Sequence, residues 1–162
     1  MTSDYFIYHK PKVIQALRYH FISRKEIKVM MILVNVFSLL SAGLFYFKKI
    51  SPAAFLLSSL MWFLMMLTFW FFLPRMVYRK SASFKDSFKI DINDRFFQLQ
   101  NERASKTWEW SEFSLWLESP HFFHLYFNST SFFLIPKEIF DNENEHKVRK
   151  LLKDKLCKWW FV

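Results

Sequence analysis

Glycine is almost missing from this chain: among 162 residues only Gly43 is glycine, and it lies inside an apolar run. Walker loops, dinucleotide fingerprints and GXXG clamps press a bare backbone against a phosphate and need glycine to do so, which argues against a nucleotide-cradling enzyme. Cysteine is equally scarce. Cys157 alone can neither close an intramolecular disulfide nor build a zinc knuckle. Acidic residues are outnumbered, 14 against 23 Lys and Arg, for a formal net charge of +9. Charge of either sign is absent from two long stretches, residues 29–47 and 51–74.

Those two stretches set the architecture. The first, VMMILVNVFSLLSAGLFYF, would be roughly 28 Å long as a helix, and residues 53–73 of the second would reach about 31 Å. Each suffices to span a hydrocarbon core. Buried helices of a soluble core would need far more covering chain than the remaining residues offer. The link Lys48-Lys49-Ile50-Ser51-Pro52 has room only for a hairpin tip, so both flanks fall on one side. Lys10, Lys12, Arg18, Arg24, Lys25 and Lys28 precede the first span, and Arg75, Arg79, Lys80, Lys85 and Lys89 follow the second, against two lysines at the tip. The positive-inside rule then predicts a multi-pass protein of a cytoplasmic membrane with both termini in the cytoplasm. With no carboxylate, Lys, Arg or His inside the spans, an ion or proton path has nothing to run on, and Asn35 is expected to bond across the hairpin or between protomers.

From Phe84 the period becomes two. FKDSFKIDI (84–92), RFFQLQ (95–100), KTWEW (106–110), FSLWLE (113–118), FFHLYF (122–127) and SFFLIP (131–136) read as six short antiparallel strands, with turns at Asn93-Asp94, Ser119-Pro120 and Asn128-Ser129-Thr130. A seventh strand is expected at Tyr5–His9. After Pro136 a helix follows, capped by Asp141 or Asn142, acidic at its start and basic at its end, with a stripe of Val148, Leu151, Leu152, Leu156 and Trp159 to bury against the sheet. The expected fold is a membrane α-helical hairpin plus an α+β domain, the latter a pleckstrin-homology-like antiparallel β-barrel or sheet capped by a C-terminal α-helix. The segments are 1–28, a strand and juxtamembrane amphipathic helix; 29–73, the two-span hairpin; and 84–160, the cytosolic domain.

Trp110-Ser111-Glu112-Phe113 at the start of one strand, and Ile135-Pro136-Lys137 followed by Phe140 at the junction of sheet and helix, combine with the preceding hairpin into a pattern that resembles the YcxB-like family of small bacterial membrane proteins. The resemblance implies a two-span anchor and a cytosolic domain of PH-like fold, and brings no reaction or ligand. The excess of Phe and Trp and the near absence of glycine depart from it, which leaves open how the turns are made.

Individual side chains point to no catalytic group, cofactor or metal. His121 and His124 lie three apart on a strand and so face opposite ways; His146, beside Glu143 and Glu145, reads as a solvated helix face. Asp86, Asp91, Asp94, Glu102, Glu109, Glu112 and Glu118 alternate with cations as ordinary exposed pairs. Cys157 is placed on the helix near Trp159 and Trp160, packed or close to the membrane. Two other groups stand out. If Phe113, Leu115, Leu117, Phe123, Leu125, Phe127, Phe133 and Ile135 fill the barrel, alternation sends Trp116, Phe122, Tyr126, Phe132 and Leu134 outward as a partner-binding face. Either residues 13–22 cover that face internally, or another protomer, a protein partner or lipid does. Arg18, Arg24, Lys25, Lys28, Arg75, Arg79 and Lys80 can converge on the lipid-headgroup layer.

The sequence thus favours a non-enzymatic membrane-anchored adaptor, bound to membrane lipids and to a protein partner or a second copy of itself, and not to nucleic acid. An immunity-type or regulatory protein and an anionic-lipid-binding module are the alternatives; a lipid-modifying enzyme has the least support.

Overall fold

The structure is a computed structural model describing residues 1–128 and 130–158. Its elements in chain order are β1 (Phe6–Ile7), α1 (Lys10–Ser23), α2 (Lys25–Tyr46), α3 (Pro52–Leu67), a π-helical turn (Thr68–Phe72), α4 (Leu73–Lys80), β2 (Ser87–Ile92), β3 (Phe96–Gln100), β4 (Ser105–Glu109), β5 (Leu115–Glu118), β6 (Phe122–Tyr126), β7 (Phe132–Pro136), α5 (Asn142–Lys155) and β8 (Cys157–Lys158). They form two compact units, one of residues Leu17–Lys80, the other of Met1–Ala16 together with Ser81–Val162.

The helical unit contains two helices long and apolar enough to cross a membrane, Lys25–Tyr46 and the continuous run Pro52–Lys80. Their large apolar side chains are exposed, Phe37 and Leu39 by more than 70%, which no soluble core would tolerate. Polar groups join them. The Trp62 indole donates to Asn35 Oδ1 at 3.2 Å, and the hydroxyls of Ser41 and Ser58 meet at 2.6 Å, so Asn35 does bond across the hairpin. The tip closes α2 with paired bonds, Lys48 N–H to Phe45 O and Lys49 N–H to Leu44 O. That pattern ordinarily uses glycine at the left-handed position; here Lys48 occupies it, with φ of 57°. Ser51 then caps α3 by accepting from the Ala54 N–H, with Pro52 in the first turn.

In the second unit the expected strands are all present. Sheet one has the order β1-β2-β3-β4, and sheet two β7-β6-β5-β8. Among the described residues no ladder joins them, so they do not make the closed barrel allowed for by the sequence. The reason is local: a 3-10 turn at Trp110–Glu112 carries the chain from β4 to β5 and breaks the hydrogen-bonding run at that corner. β1 pairs antiparallel with β2, Phe6 opposite Phe88, as the seventh strand. β8, which alternation did not reveal, pairs parallel with β5. α5 is capped by Asp141, whose carboxylate accepts from Asn144 N–H at 2.7 Å, and its Val148, Leu151 and Leu152 pack into one core with Ile90, Ile92, Phe97, Trp108, Trp116, Phe123, Leu125 and Ile135. Trp159, the last member of the expected stripe, lies outside the described residues, as does Trp160.

A left-handed conformation costs a residue with a Cβ about 1 kcal/mol, so Lys48→Gly should raise the thermal unfolding midpoint of the detergent-solubilised chain. By the same reasoning Gly43→Ala should be neutral or mildly stabilising, since nothing lies within 4 Å of the added methyl. A fall in the midpoint for K48G would show that the lysine side chain contributes more than its backbone costs.

Candidate functional site

The expected partner-binding face belongs to the sheet of β5, β6 and β7. Cross-strand partners share a face: Trp116 pairs with Leu125 and Leu125 with Phe133, while Phe122 pairs with Pro136, His124 with Leu134, and Tyr126 with both Leu115 and Phe132. Trp116 therefore points into the core and not outward. Strict alternation from Phe113 would have placed Leu115 and Leu117 there, but Phe113 and Trp116 are both buried, three positions apart. The register slips at Ser114, where the backbone N–H and the hydroxyl both donate to Tyr126 O.

Phe122, Tyr126, Phe132 and Leu134 do occupy the second face, yet Phe122, Tyr126 and Leu134 are almost fully buried and Phe132 half-buried. Tyr8 lies on it, donating its hydroxyl to Leu134 O at 2.6 Å with its ring 6.3 Å from that of Phe122. Burial pushes the Tyr8 and Tyr126 hydroxyls far toward the neutral form. Val13 and Ala16 are buried in the same unit, and Lys12 is ion-paired with Glu138 just beyond β7. The face is internal packing, not a free surface.

A charged cluster that alternation could not reveal sits at the other end of this sheet. Glu118 Oε1 accepts from Lys137 Nζ at 2.6 Å and from Arg149 Nη2 at 2.8 Å, and Arg149 also bonds Glu145. Both cations lie over the Phe123 ring, 5.0 and 5.7 Å from its centroid. Glu118 is thus not the ordinary exposed carboxylate expected from its neighbours. Burial works to raise its pKa, but the bonds and charges of Arg149 and Lys137 outweigh that and hold it below the usual value. The cluster ties β5, the turn after β7 and α5 together.

Other expected candidates fall where chemistry is quiet. His121 is exposed in a turn while His124 is buried, its ring 2.9 Å from the Ser119 hydroxyl, so the two do not converge. His146 is exposed on α5. Cys157 is exposed on β8 and not on the helix, which ends at Lys155. Among the described residues no group of three or more His, Cys, Asp or Glu is arranged to hold a metal ion. His20 is buried on α1, and burial together with the neighbouring charge of Arg24 lowers its pKa to about 4.

With the geometry in place, comparison with known proteins is decisive for one segment. Residues 92–152 match the family model described as YcxB-like protein. This segment belongs to the YcxB-like family. No curated protein and no solved structure matches the chain. The YcxB-like segment runs from the last residue of β2 through most of α5 and leaves the apolar helices outside it. Its two sequence signatures have structural work in this fold. Trp110 donates its indole N–H to Asn93 O at 2.9 Å, locking the β2–β3 turn to the corner between sheets. In Ile135-Pro136-Lys137, Ile135 is core and Lys137 holds Glu118, while Phe140 packs on the rim of the core.

The expected headgroup cations lie in the helical unit and divide into two classes. Arg18 is engaged: its Nε donates to Trp70 O at 3.0 Å and its guanidinium lies over the Trp70 and Phe71 rings. Arg24 lies 3.5 Å from Glu26, Lys25 is exposed, and Lys28 is half-buried. Arg75, Arg79 and Lys80 line a groove of 680 Å³ with Thr68, Phe71, Phe72, Leu73 and Met76. The helical unit holds nine Lys and Arg against one carboxylate, Glu26, and so carries +8 of the chain's +9.

Two substitutions separate packing from surface. Trp116→Ala should cost about 3–5 kcal/mol by opening a cavity in the core, seen as loss of a cooperative unfolding transition and not as selective loss of a partner. Glu118→Gln should cost about 2 kcal/mol by removing the carboxylate that two half-buried cations share and leaving only Glu145 beside them. Because the folded pKa of Glu118 lies below its unfolded value, its contribution is complete above about pH 4.5 and disappears as pH falls through the depressed value. Urea midpoints for the wild type should therefore drop toward those of E118Q on acidification, and parallel pH profiles for the two proteins would refute that assignment.

Proposed function

We propose that this chain is a non-enzymatic, membrane-anchored interaction protein of a bacterial cytoplasmic membrane, whose hairpin holds a PH-like unit at the cytoplasmic surface with both termini inside. One observation carries this reading: the residues before the hairpin and those after it fold into one compact unit, Met1–Ala16 with Ser81–Val162. Two flanks that share a core must lie on the same side of any bilayer the hairpin enters. Flanking cations then choose the cytoplasmic side. The two interrupted sheets, closed by α5 against one core, support a PH-like plan opened at the β4–β5 corner.

The charge division supports a protein partner for this unit over a nucleic acid. Outside the helical unit, 14 Lys and Arg face 13 carboxylates, far from the basic excess that phosphate backbones demand. With the second sheet face buried, one open place is the edge of β4, which has β3 on one side and no strand on the other among the described residues and, unlike the edge strand β7, is mostly exposed, at Ser105, Lys106, Thr107 and Glu109. An extended segment of a protein partner fits such an edge by strand addition.

In-cell photocrosslinking from position 107, with His146 on the exposed face of α5 as control, tests the proposal. The expected result is one protein, or a second copy of the chain, captured in the membrane fraction from position 107 and not from 146. Equal capture from both positions, or none from 107, would remove the β4 edge as the docking place. Extraction of the chain by alkaline carbonate would overturn the anchor itself.

A further inference from the structure

We propose that the groove beside the π-helical turn is a binding site for one anionic phospholipid, its phosphate held by Arg75, Arg79 and Lys80 and an acyl chain laid along Phe72 and Met76. This deepens the membrane-anchored reading and rests on it.

The groove lies beside Pro74. Proline brings no N–H, so the carbonyl of Trp70 lacks its helical donor, and the helix takes the wider turn in which Leu73 N–H reaches back to Thr68 O. One extra residue in a turn rotates everything beyond it by about a quarter turn or more relative to an uninterrupted helix. Phe72, Arg75, Met76, Arg79 and Lys80 follow at helical spacing and line one groove. Arg18 supplies the missing donor to Trp70 O, which commits that guanidinium to the fold and leaves the other three for a ligand.

Charge identifies the ligand. Among the described residues Arg75, Arg79 and Lys80 have no carboxylate within ion-pair distance, and the sole carboxylate of this unit, Glu26, lies beside Arg24. Arg75 and Arg79 stand four apart on one helix, close enough for both guanidinium groups to reach a single phosphate. The Arg75 guanidinium rests over the Phe71 ring at 5.4 Å, which orients its N–H groups without neutralising it. A free phosphate would use the cations alone. The exposed apolar wall, with Phe72 68% and Met76 46% accessible, is what an acyl chain adds, and it selects a lipid over a soluble anion.

The test is native mass spectrometry of the full chain released from nanodiscs of mixed phosphatidylglycerol and phosphatidylcholine. Wild-type protein should retain one phosphatidylglycerol. The triple substitution R75Q/R79Q/K80Q should weaken that retention at least tenfold, while K48Q/K49Q at the hairpin tip leaves it unchanged. Glycerol phosphate added in excess should fail to displace the lipid; displacement at equal concentration would make this a soluble-anion site and overturn the proposal. Equal retention by the triple variant, with the chain still inserted and resistant to carbonate, would overturn the lipid site alone. Failure to insert at all would overturn the anchored reading on which it stands.

Discussion

β6 is buried along its whole length, and this is the constraint on which the β-rich unit depends. All five of its side chains, Phe122 to Tyr126, are inaccessible. A strand buried on both faces needs a layer on each side. The core with α5 provides one, closed at its rim by the Glu118, Lys137 and Arg149 cluster. The N-terminal segment contributes to the other, where Tyr8 bonds Leu134 across 126 positions of sequence. The unit therefore cannot be completed until the residues on both sides of the hairpin have met. Folding of this domain and placement of the hairpin are linked by that requirement, because contacts so distant in sequence form only after the intervening chain is in position.

Scarcity of glycine has been met by side chains that substitute for its freedom. Three turns use the same device: the amide oxygens of Asn93, Asn101 and Asn128 each accept from the backbone two and three residues ahead. Asparagine folds the chain back by providing an acceptor where glycine would provide conformational range. Among the described residues only Lys48 takes the left-handed conformation itself, and there the cost is accepted in backbone strain at an exposed tip.

Much of this was legible in the sequence because it is local. The two apolar helices, the strands, the Asp141 cap and the α5 stripe of Val148, Leu151, Leu152 and Leu156 follow from periods of 3.6 and 2 and from capping chemistry. What escaped was set by contacts between distant segments or by a single extra residue. Trp116 faces the core because the register slips at Ser114, and alternation has no memory of a slip it cannot see. Glu118 reads as one more surface carboxylate until the fold brings Lys137 and Arg149, 19 and 31 positions away, to the same oxygen. β8 is two residues long and parallel to β5, too short to produce a period. The second face of sheet two reads as too apolar for water, but that its cover includes the N-terminal segment of the same chain rests on contacts such as Tyr8 to Leu134, far apart in sequence.

Pro74 joins these themes in the helical unit. A proline inside an apolar helix leaves a carbonyl unsatisfied, and in a bilayer such a group costs several kcal/mol, roughly, unless another donor reaches it. Arg18 reaches it from α1, so a cation that flanking-charge arguments treat as a topology signal is also a hydrogen-bond donor that the helix requires. The same proline, through the π-helical turn, sets the azimuth of the cations that follow. Basic residues beside a membrane are usually counted and summed, yet here their roles differ by geometry: Arg18 completes the fold and Arg24 lies beside a carboxylate, whereas Arg75, Arg79 and Lys80 retain their charge for whatever lies against the groove. On the proposed reading it is this division, not the net charge, that would give the surface beside the hairpin its chemical specificity.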